Sequence, residues 1–258
     1  MSSAEAVAGT EGAFVALMNQ EAQRMGLKST RYANPHGLPH PDNFSTARDL
    51  SVLATRLIND FPELYKIYST KSFTYNKITQ PNRNRLLWLD PTVDGMKTGH
   101  TEAAGYCLIA TAKRDVPGLG SRRLLSIALG ASSENARAVE SQKLLNWGYT
   151  AFDAVKLFEA NQAVVSPSVW KGRASVVKLG RTQPIVVAVP AGSVNRIQTQ
   201  VARPEPLVAP LTRGQSLGAL KVSLDQQPWV DVPLTVLETV EQAGVLGRAW
   251  DAVRLWVK

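Results

Sequence analysis

The pattern of apolar and polar positions predicts helices in the first third of the chain. Thr10 can cap a helix over residues 10–26, in which Phe14, Leu17 and Met25 fall near one face. A second helix follows Thr46, because Thr46-x-x-Asp49 resembles a capping box and apolar residues then recur at i, i+3, i+4, i+7 and i+8. Between them, residues 34–42 are rich in Asn, Pro and Gly and are typical of a loop.

The next segments favour a mixture of strands and helices. Pro62 suits the first turn of a short helix that extends to about Tyr68. Strands are predicted at Ser72–Asn76, Tyr106–Ala112 and Arg122–Leu129, with the last two separated by Asp115–Ser121. A helix from about Ser133 to Phe158 follows, and Trp147-Gly148-Tyr149 is a point where it can end or bend. Residues 1–160 therefore predict an α+β domain.

Composition changes near residue 160 and indicates a second, all-β domain over residues 161–243. Pro and Gly separate short β-branched runs at roughly the 8–12 residue spacing of a β-sandwich. The predicted strands are Ala174–Leu179, Ile185–Val189, Ile197–Val201, Leu217–Leu224 and Val230–Leu237.

Residues 244–258 return to a helical period, with an apolar stripe opposite basic residues. At 1.5 Å per residue such a helix reaches about 22 Å, less than the ~30 Å of a hydrocarbon core. Gly244–Lys258 therefore predicts either an amphipathic helix on an anionic membrane surface or a terminal helix packed on the β-domain.

Composition narrows the functional classes. The chain has 258 residues, a net charge of +8 and 44% hydrophobic residues, which fits a globular protein. The excess of positive charge suits an anionic partner, but the basic residues are scattered and no nucleic-acid-binding module accompanies them, so we expect no nucleic acid partner. Three histidines and one cysteine without paired spacing predict no metal site. Cys107, in an apolar run, is interpreted as a buried, inert thiol.

The tripeptide Lys97-Thr98-Gly99 is the first candidate for chemistry. Lys-Thr-Gly is one of three signatures of penicillin-recognising serine acyltransferases. Gly95 lies two residues before the motif and Gly99 ends it, and these glycines allow a ligand or another backbone to approach closely. The apolar strand that follows would make it an edge-strand site for an extended peptide. Taken alone, the motif also fits a surface lysine at a turn.

Four blocks together resemble the low-molecular-mass penicillin-binding proteins, which are serine-type D-alanyl-D-alanine carboxypeptidases. The resemblance extends through the β-rich region and the C-terminal helix, and so covers essentially the whole chain. It implies the C-terminal part of a penicillin-binding, β-lactamase-like transpeptidase domain, then a small all-β sandwich. The four blocks are Asn34–Leu38, Ile78–Trp88, Asp94–Ala110 and Arg137–Gly148.

The resemblance also implies roles for individual residues. Lys97 and Thr98 would hold the terminal carboxylate of the substrate, and the backbone N–H of His100 would contribute to an oxyanion hole. Arg83 and Arg137 match family arginines near the cleft. Each has two open interpretations, attraction of an anionic peptide or salt bridges that hold loops.

Two further positions, His36 and Asp49, also match the family, and we interpret them as structural.

The chain departs from the family pattern at the nucleophile. We find no Ser-x-x-Lys that would supply the nucleophile and its base, and no Ser-x-Asn before Lys97. The chain resumes the family pattern just after the place of Ser-x-Asn, and it begins without the features of a signal peptide. We therefore expect an N-terminally truncated, inactive carboxypeptidase portion, cytoplasmic if Met1 is the true start, whose parent acts at the periplasmic face of the inner membrane.

The expected partners follow from the parent enzyme. They are a peptidoglycan stem peptide ending in D-Ala-D-Ala, β-lactams for the full-length parent, and an anionic membrane surface for Gly244–Lys258; no cofactor is expected. An alternative is a non-catalytic, membrane-associated module that binds peptidoglycan or acts as a scaffold. A true β-lactamase is disfavoured because the resemblance includes the β-domain and the terminal helix.

Overall fold

The computed structural model describes residues 3–244, and the chain divides into two compact units, Met1–Tyr149 and Thr150–Lys258. The first unit mixes helices with antiparallel strands and the second is rich in β-structure, as predicted. The helices are α1 Ser3–Ala8, α2 Glu11–Arg24, α3 Ala47–Asp60, α4 Pro62–Tyr65, α5 Leu86–Leu89 and α6 Glu134–Ala151, with 3₁₀ turns at Lys66–Ser69 and Val194–Arg196. The strands are β1 Ser72–Tyr75, β2 Ile78–Pro81, β3 Val93–Thr101, β4 Gly105–Val116, β5 Gly120–Ala131, β6 Phe152–Phe158, β7 Ala163–Val165, β8 Val169–Trp170, β9 Leu179–Gly180, β10 Ile185–Pro190, β11 Ile197–Ala202, β12 Leu207–Val208, β13 Ser216–Leu224 and β14 Gln227–Val236.

The helix starts follow the capping residues in the sequence. The Thr10 hydroxyl accepts a hydrogen bond from the Ala13 N–H at 3.2 Å, and α2 begins at the next residue. The Thr46 hydroxyl accepts from the Asp49 N–H at 3.2 Å, and α3 begins at Ala47. Both helices were predicted, because an N-cap satisfies backbone donors locally and needs no distant partner.

The sheet of the first unit is antiparallel, with strand order β3-β4-β5. Strands β4 and β5 are longer than predicted. Their pairing continues through Asp115↔Ser121 and Val116↔Gly120, so only residues 117–119 are left for the turn. The predicted loop covered all of Asp115–Ser121. Charged residues and glycines are depleted in strands in general, so the composition of this solvent-exposed hairpin end does not indicate that its residues pair.

Helices pack on this sheet through two apolar clusters. Leu108 of β4 packs with Ala138 and Leu145 of α6. Ile109, the next residue of β4, packs with Ala54 of α3 and Tyr65 of α4. Successive strand residues point to opposite faces, so helices cover both faces of the sheet.

A separate hairpin, β1–β2, precedes α5. Only its first strand was predicted. Asn76 and Lys77 have positive φ angles of 47° and 63°, which places both in the turn between Tyr75 and Ile78. Two central turn residues with φ > 0 match the twist of a two-residue hairpin.

The predicted helix over Ser133–Phe158 is wrong in its last part. Helix α6 ends at Ala151, and Phe152–Phe158 forms β6, antiparallel to β10. The apolar residues of this segment suit either a helix or a strand, and pairing with a distant strand decides between them. The two compact units divide between Tyr149 and Thr150, eleven residues before the boundary that composition indicated.

The second unit contains a five-stranded sheet in the order β11-β13-β14-β9-β7 and the two-stranded sheets β6–β10 and β8–β12. Its core includes Leu179, Val189, Leu220 and Leu234. The strand predicted over Ala174–Leu179 is wrong: Val176 makes only an isolated bridge, and regular pairing begins at Leu179. The predicted helix over 244–258 lies outside the described residues, apart from Gly244. Within the described part of the chain, no helix combines the length and apolarity needed to cross a bilayer.

Candidate functional site

A cleft of about 1120 Å³ lies along β3 in the first unit. Four segments supply its walls: the stretch from the end of β2 through α5, strand β3, the start of β4, and the first turn of α6. The lining residues are Gln80, Pro81, Asn82, Arg83, Arg85, Trp88, Leu89, Lys97, Thr98, Gly99, His100, Tyr106, Glu134 and Arg137.

The cleft follows the edge of the sheet. Residues 97–100 all line it, although successive strand residues point to opposite faces. Within residues 3–244, β3 is a terminal strand that pairs with β4 alone. The Lys97-Thr98-Gly99 tripeptide therefore lies inside an edge strand and not at a turn, and the adjoining space can accept an extended chain.

The cleft is cationic. Its lining has four basic side chains, from Arg83, Arg85, Lys97 and Arg137, against the single carboxylate of Glu134. Within the described residues, neither Lys97 nor Arg83 has a carboxylate at ion-pair distance, whereas Arg137 contacts Glu134 at 2.8 Å. An anion that enters the cleft therefore meets the charges of Lys97 and Arg83, which no carboxylate of residues 3–244 neutralises.

The pKa of Lys97 is lowered from its ordinary value of 10.5. The largest cause is burial around the ammonium group, although the residue as a whole is exposed, and the charges of Arg83 and Arg137 add to it. The Lys97 ammonium donates to the backbone carbonyl of Thr98. A neighbouring anion would relieve this repulsion, so the arrangement favours binding of a carboxylate.

Arg137 holds the walls of the cleft together. Only 3% of the residue is exposed. Its guanidinium donates to the backbone carbonyls of Gly99 at 3.4 Å and Arg83 at 3.2 Å, and it lies 5.5 Å from the centre of the Tyr106 ring. The structural interpretation of Arg137 thus has direct support, while its charge still contributes to the cleft.

The loop that carries Arg83 is fixed by two asparagines. The Asn82 side-chain amide donates to the Thr70 carbonyl at 3.0 Å, and its side-chain oxygen accepts from the Asn84 N–H at 2.9 Å. Asn84 is fully buried, and its side-chain amide donates to the Gly95 carbonyl of β3 at 2.9 Å. The loop and the strand that face the cleft are therefore joined directly.

A partly buried polar cluster supports the start of β3. Asp94 accepts two hydrogen bonds from Arg123, both at 2.6 Å, and further ones from Thr111 at 2.8 Å and Tyr65 at 3.1 Å. Burial opposes ionisation of Asp94, but the hydrogen bonds from Arg123 and Thr111 and the charge of Arg123 outweigh it and lower the pKa of the carboxyl. Burial raises the pKa of Tyr65 to about 12.

Asp49 and His36 have structural contacts, as predicted. Asp49 is buried and accepts from the Ser29 N–H and the Thr30 hydroxyl, both at 2.7 Å. His36 accepts the Leu38 N–H at 3.2 Å inside its own loop. The prediction that Cys107 is buried is wrong: it is partly exposed, and its thiol donates to the Ala104 carbonyl at 3.4 Å.

Sequence reasoning missed several lining residues. Arg85, Trp88, Tyr106 and Glu134 were not singled out, although the first three lie in blocks that carried the family resemblance. In the structure Leu86 and Leu87 are buried, while Trp88 is 48% and Leu89 56% exposed along the cleft. The sequence Leu-Leu-Trp-Leu is apolar throughout, so it does not tell which of these residues face the cleft.

The statement that the chain lacks Ser-x-x-Lys needs correction. Ser168-Val169-Trp170-Lys171 and Ser175-Val176-Val177-Lys178 match those letters, but both lie in the second unit. A helix would bring residues i and i+3 to one face. Neither stretch is helical, because the first includes strand β8 and the second lies between β8 and β9. Neither therefore supplies the nucleophile and base pair on one helical face.

Comparison with known proteins gives the same assignment for both parts of the chain. Residues 1–133 match the family model described as D-alanyl-D-alanine carboxypeptidase. Residues 152–242 match the model described as penicillin-binding protein 5, C-terminal domain.

Individual relatives extend the match over nearly the whole chain. The chain is 43% identical over 98% of its length to D-alanyl-D-alanine carboxypeptidase DacC of Escherichia coli, covering 62% of that protein. It is 41% identical over 99% of its length to DacA of Haemophilus influenzae, covering 64%. The chain thus spans less than two thirds of these curated relatives.

A solved structure agrees with the fold. The crystal structure of penicillin-binding protein 5 from Haemophilus influenzae superimposes with a TM-score of 0.79 at 40% sequence identity. The match covers 93% of this chain and 69% of the solved chain.

Proposed function

Because the chain belongs to the serine-type D-alanyl-D-alanine carboxypeptidase family, we propose that its cleft binds the C-terminus of a peptidoglycan stem peptide ending in D-Ala-D-Ala. The observation that carries the proposal is the edge strand β3, whose Lys97 and Thr98 lie in a cleft with four basic side chains and one carboxylate. The peptide backbone would pair with the strand, and its free carboxylate would meet the cations.

Each residue has a separate part in this proposal. Lys97 and the Thr98 hydroxyl bind the terminal carboxylate, and Arg83 adds positive potential at the mouth of the cleft. Gly99 leaves room for the substrate backbone. The His100 N–H lies next along the strand and donates to the carbonyl oxygen of the penultimate D-alanine. Arg137 acts mainly as a positioning residue, because it holds Gly99 and Arg83 through their carbonyls.

The parent reaction in this proposal is an acyl transfer. A serine oxygen attacks the carbonyl of the penultimate D-alanine, the terminal D-alanine leaves as its amine, and water then hydrolyses the ester. In this proposal the chain supplies the carboxylate and oxyanion side of that reaction. Since no serine–lysine pair with suitable geometry is present in the described residues, we propose that the chain binds the peptide without forming the acyl-enzyme.

Location and additional partners belong to the same proposal. The parent would work in cell-wall remodelling at the periplasmic face of the inner membrane, would be acylated by β-lactams, and would contact anionic lipid through Gly244–Lys258. The alternative, a scaffolding module without catalysis, predicts the same peptide binding but no serine elsewhere in the intact protein.

The proposal is tested by the binding of Nα-acetyl-D-Ala-D-Ala to the chain, measured by calorimetry. We expect saturable binding, and roughly 10-fold or more weaker binding of the C-terminal amide, because the amide lacks the charge that Lys97 and Thr98 meet. Lys97→Ala should lose the preference for the acid. Lys143→Ala is the control, since Lys143 is an exposed lysine on α6 paired with Glu140.

Equal affinity for the acid and the amide would reject the proposed function. Incubation with a fluorescent penicillin separates binding from catalysis. We expect no covalent label on this chain, and a stoichiometric label would contradict the non-catalytic part of the proposal.

A further inference from the structure

The β1–β2 hairpin presents exposed apolar side chains beside the cleft. Phe73, Tyr75 and Ile78 are 67%, 75% and 62% exposed. Every residue from 71 to 80 is exposed, and within residues 3–244 the two strands pair only with each other. Large apolar side chains that cluster on a surface in this way mark an interaction site.

The register of the hairpin places these side chains on one face. Phe73 is the cross-strand partner of Gln80, and Tyr75 is the partner of Ile78. Cross-strand partners project to the same face, and so do alternate residues of one strand. The four side chains therefore lie together and form what we call the aromatic face.

The aromatic face continues the wall of the cleft. Gln80 belongs to this face and also lines the cleft, and Pro81, Asn82 and Arg83 follow it along the same wall. The base of the hairpin is fixed there, because the Asn82 N–H donates to the Lys71 carbonyl at 2.7 Å. At this end of the cleft, the surface next to a bound peptide is therefore the aromatic face.

The surroundings of the aromatic face are basic. Residues 64–89 contain five basic residues and no acidic one. The basic residues are Lys66, Lys71, Lys77, Arg83 and Arg85. Lys71 and Lys77 flank β1, and among the described residues neither has a carboxylate at ion-pair distance. A ligand that carries negative charge is therefore favoured at this surface.

These features together fit a glycan that carries carboxylates. The C–H groups of a sugar ring pack on the negative face of an aromatic ring. Phe73 and Tyr75 are two residues apart in one strand and so lie about 7 Å apart, which lets one oligosaccharide cover both rings. The Gln80 side-chain amide offers a donor and an acceptor to sugar hydroxyl and acetamido groups. The stem peptide of the proposed function is attached to such a polymer, because peptidoglycan consists of N-acetylated amino sugar chains that carry acidic peptides.

We propose that the aromatic face binds the glycan strand of peptidoglycan while the cleft binds the stem peptide. This proposal rests on the proposed function, because the peptide in the cleft identifies the polymer. It adds a sugar-binding site outside the cleft, and it assigns to Phe73 and Tyr75 a direct contact with the glycan.

The test measures the binding of chitotetraose, a tetramer of N-acetylglucosamine, by calorimetry. We expect saturable binding by the natural chain and roughly 10-fold weaker binding by Tyr75→Thr, which removes the ring but keeps a β-branched residue that suits a strand. Tyr75→Phe keeps the ring and should retain the affinity. Thr74→Ala is the matched control, since Thr74 is an exposed neighbour on the opposite face, where its hydroxyl hydrogen-bonds with that of Thr79 at 2.8 Å.

A second variant covers the case in which Tyr75→Thr disturbs the hairpin. Phe73→Thr removes the other ring of the aromatic face, and it should weaken the binding of chitotetraose as well. The affinity for acetyl-D-Ala-D-Ala and a thermal melt, measured on each variant, report on the cleft and on the fold.

The outcomes separate this inference from the proposed function. No binding of chitotetraose by the natural chain, or equal binding by the natural chain and Tyr75→Thr, would overturn the inference alone. Binding of chitotetraose without binding of acetyl-D-Ala-D-Ala would overturn the proposed function, and with it the inference that sugar and peptide belong to one polymer. Tyr75-dependent co-sedimentation with phosphatidylglycerol vesicles, without binding of chitotetraose, would assign the face to a membrane and would also overturn the inference.

Discussion

The buried Asn84 side-chain amide donates a 2.9 Å hydrogen bond to the Gly95 carbonyl, and this contact joins the loop of Arg83 to the strand of Lys97. The Asn84 side-chain oxygen also accepts the Leu86 N–H at 3.2 Å, at the start of α5. The Asn84 side chain therefore uses its donor to hold β3 and its acceptor to hold the start of α5. A substitution that removes either the donor or the acceptor should alter the cleft.

Asn84→Asp should destabilise the first unit by about 1–3 kcal/mol, because a buried acceptor would then face the Gly95 carbonyl with no donor between them. Urea denaturation measures this change. Gln20→Ala, which removes an exposed amide on α2, should change stability by less than about 0.5 kcal/mol. Equal stability of Asn84→Asp and the natural chain would show that the amide does not join the two segments.

Gly95→Ala should also be destabilising, by about 1–3 kcal/mol, since the added methyl group would overlap the Tyr65 hydroxyl and approach the Thr111 hydroxyl to 3.2 Å. The cost should be smaller in a Tyr65→Phe background, where the overlapping oxygen is absent. Gly12→Ala serves as the control, because no atom lies within 4 Å of a methyl group there and alanine favours the α2 helix. Thermal unfolding of the four variants measures the coupling, and a cost that Tyr65→Phe leaves unchanged would contradict the overlap.

Asp94 should make the free energy of unfolding depend on pH in the acid range. Its pKa is lower when the protein is folded, so its contribution is present above the ordinary carboxyl pKa of 3.8 and is lost as the pH falls through the lower, folded value. Asp94→Asn should therefore cost about 1–3 kcal/mol at pH 7, and the difference should shrink as the pH falls below about 4.

Denaturant unfolding between pH 3 and pH 7 measures this dependence. Asp60→Asn is the control, because Asp60 forms an exposed pair with Arg56, for which about 0–1 kcal/mol is expected. A penalty for Asp94→Asn that stays constant over this pH range would show that ionisation of Asp94 is not its source.

Lys97 should make the affinity for the peptide depend on pH in the alkaline range. Burial and the charges of Arg83 and Arg137 lower its pKa below 10.5, and only the protonated form attracts a carboxylate. The affinity for acetyl-D-Ala-D-Ala should therefore fall as the pH rises through this lowered pKa, before ordinary lysines lose their charge. The arginine of the Lys97→Arg variant keeps its charge over this range, so the affinity of this variant for the peptide should change less with pH. Identical pH profiles for the two proteins would exclude Lys97 as the titrating group.

Local chemistry explains which elements could be predicted from the sequence. Thr10 and Thr46 cap α2 and α3 through contacts within three residues, so the information lies in adjacent positions. Phe152–Phe158 shows the opposite case. Its apolar residues suit a helix as well as a strand, and its pairing with Ile185–Pro190 is a contact that no local pattern contains.

The sequence by itself determined the family, the helix starts, the two-part organisation and the importance of Lys97-Thr98-Gly99, because each of these depends on residues that are close together in the chain or on blocks of fixed order. Only the tertiary structure decided between an edge strand and a turn for the tripeptide, and only it showed that Arg137 holds the Gly99 and Arg83 carbonyls. These features arise where distant segments meet, since the free energy of packing and of buried hydrogen bonds is set by partners in space and not by neighbours in sequence.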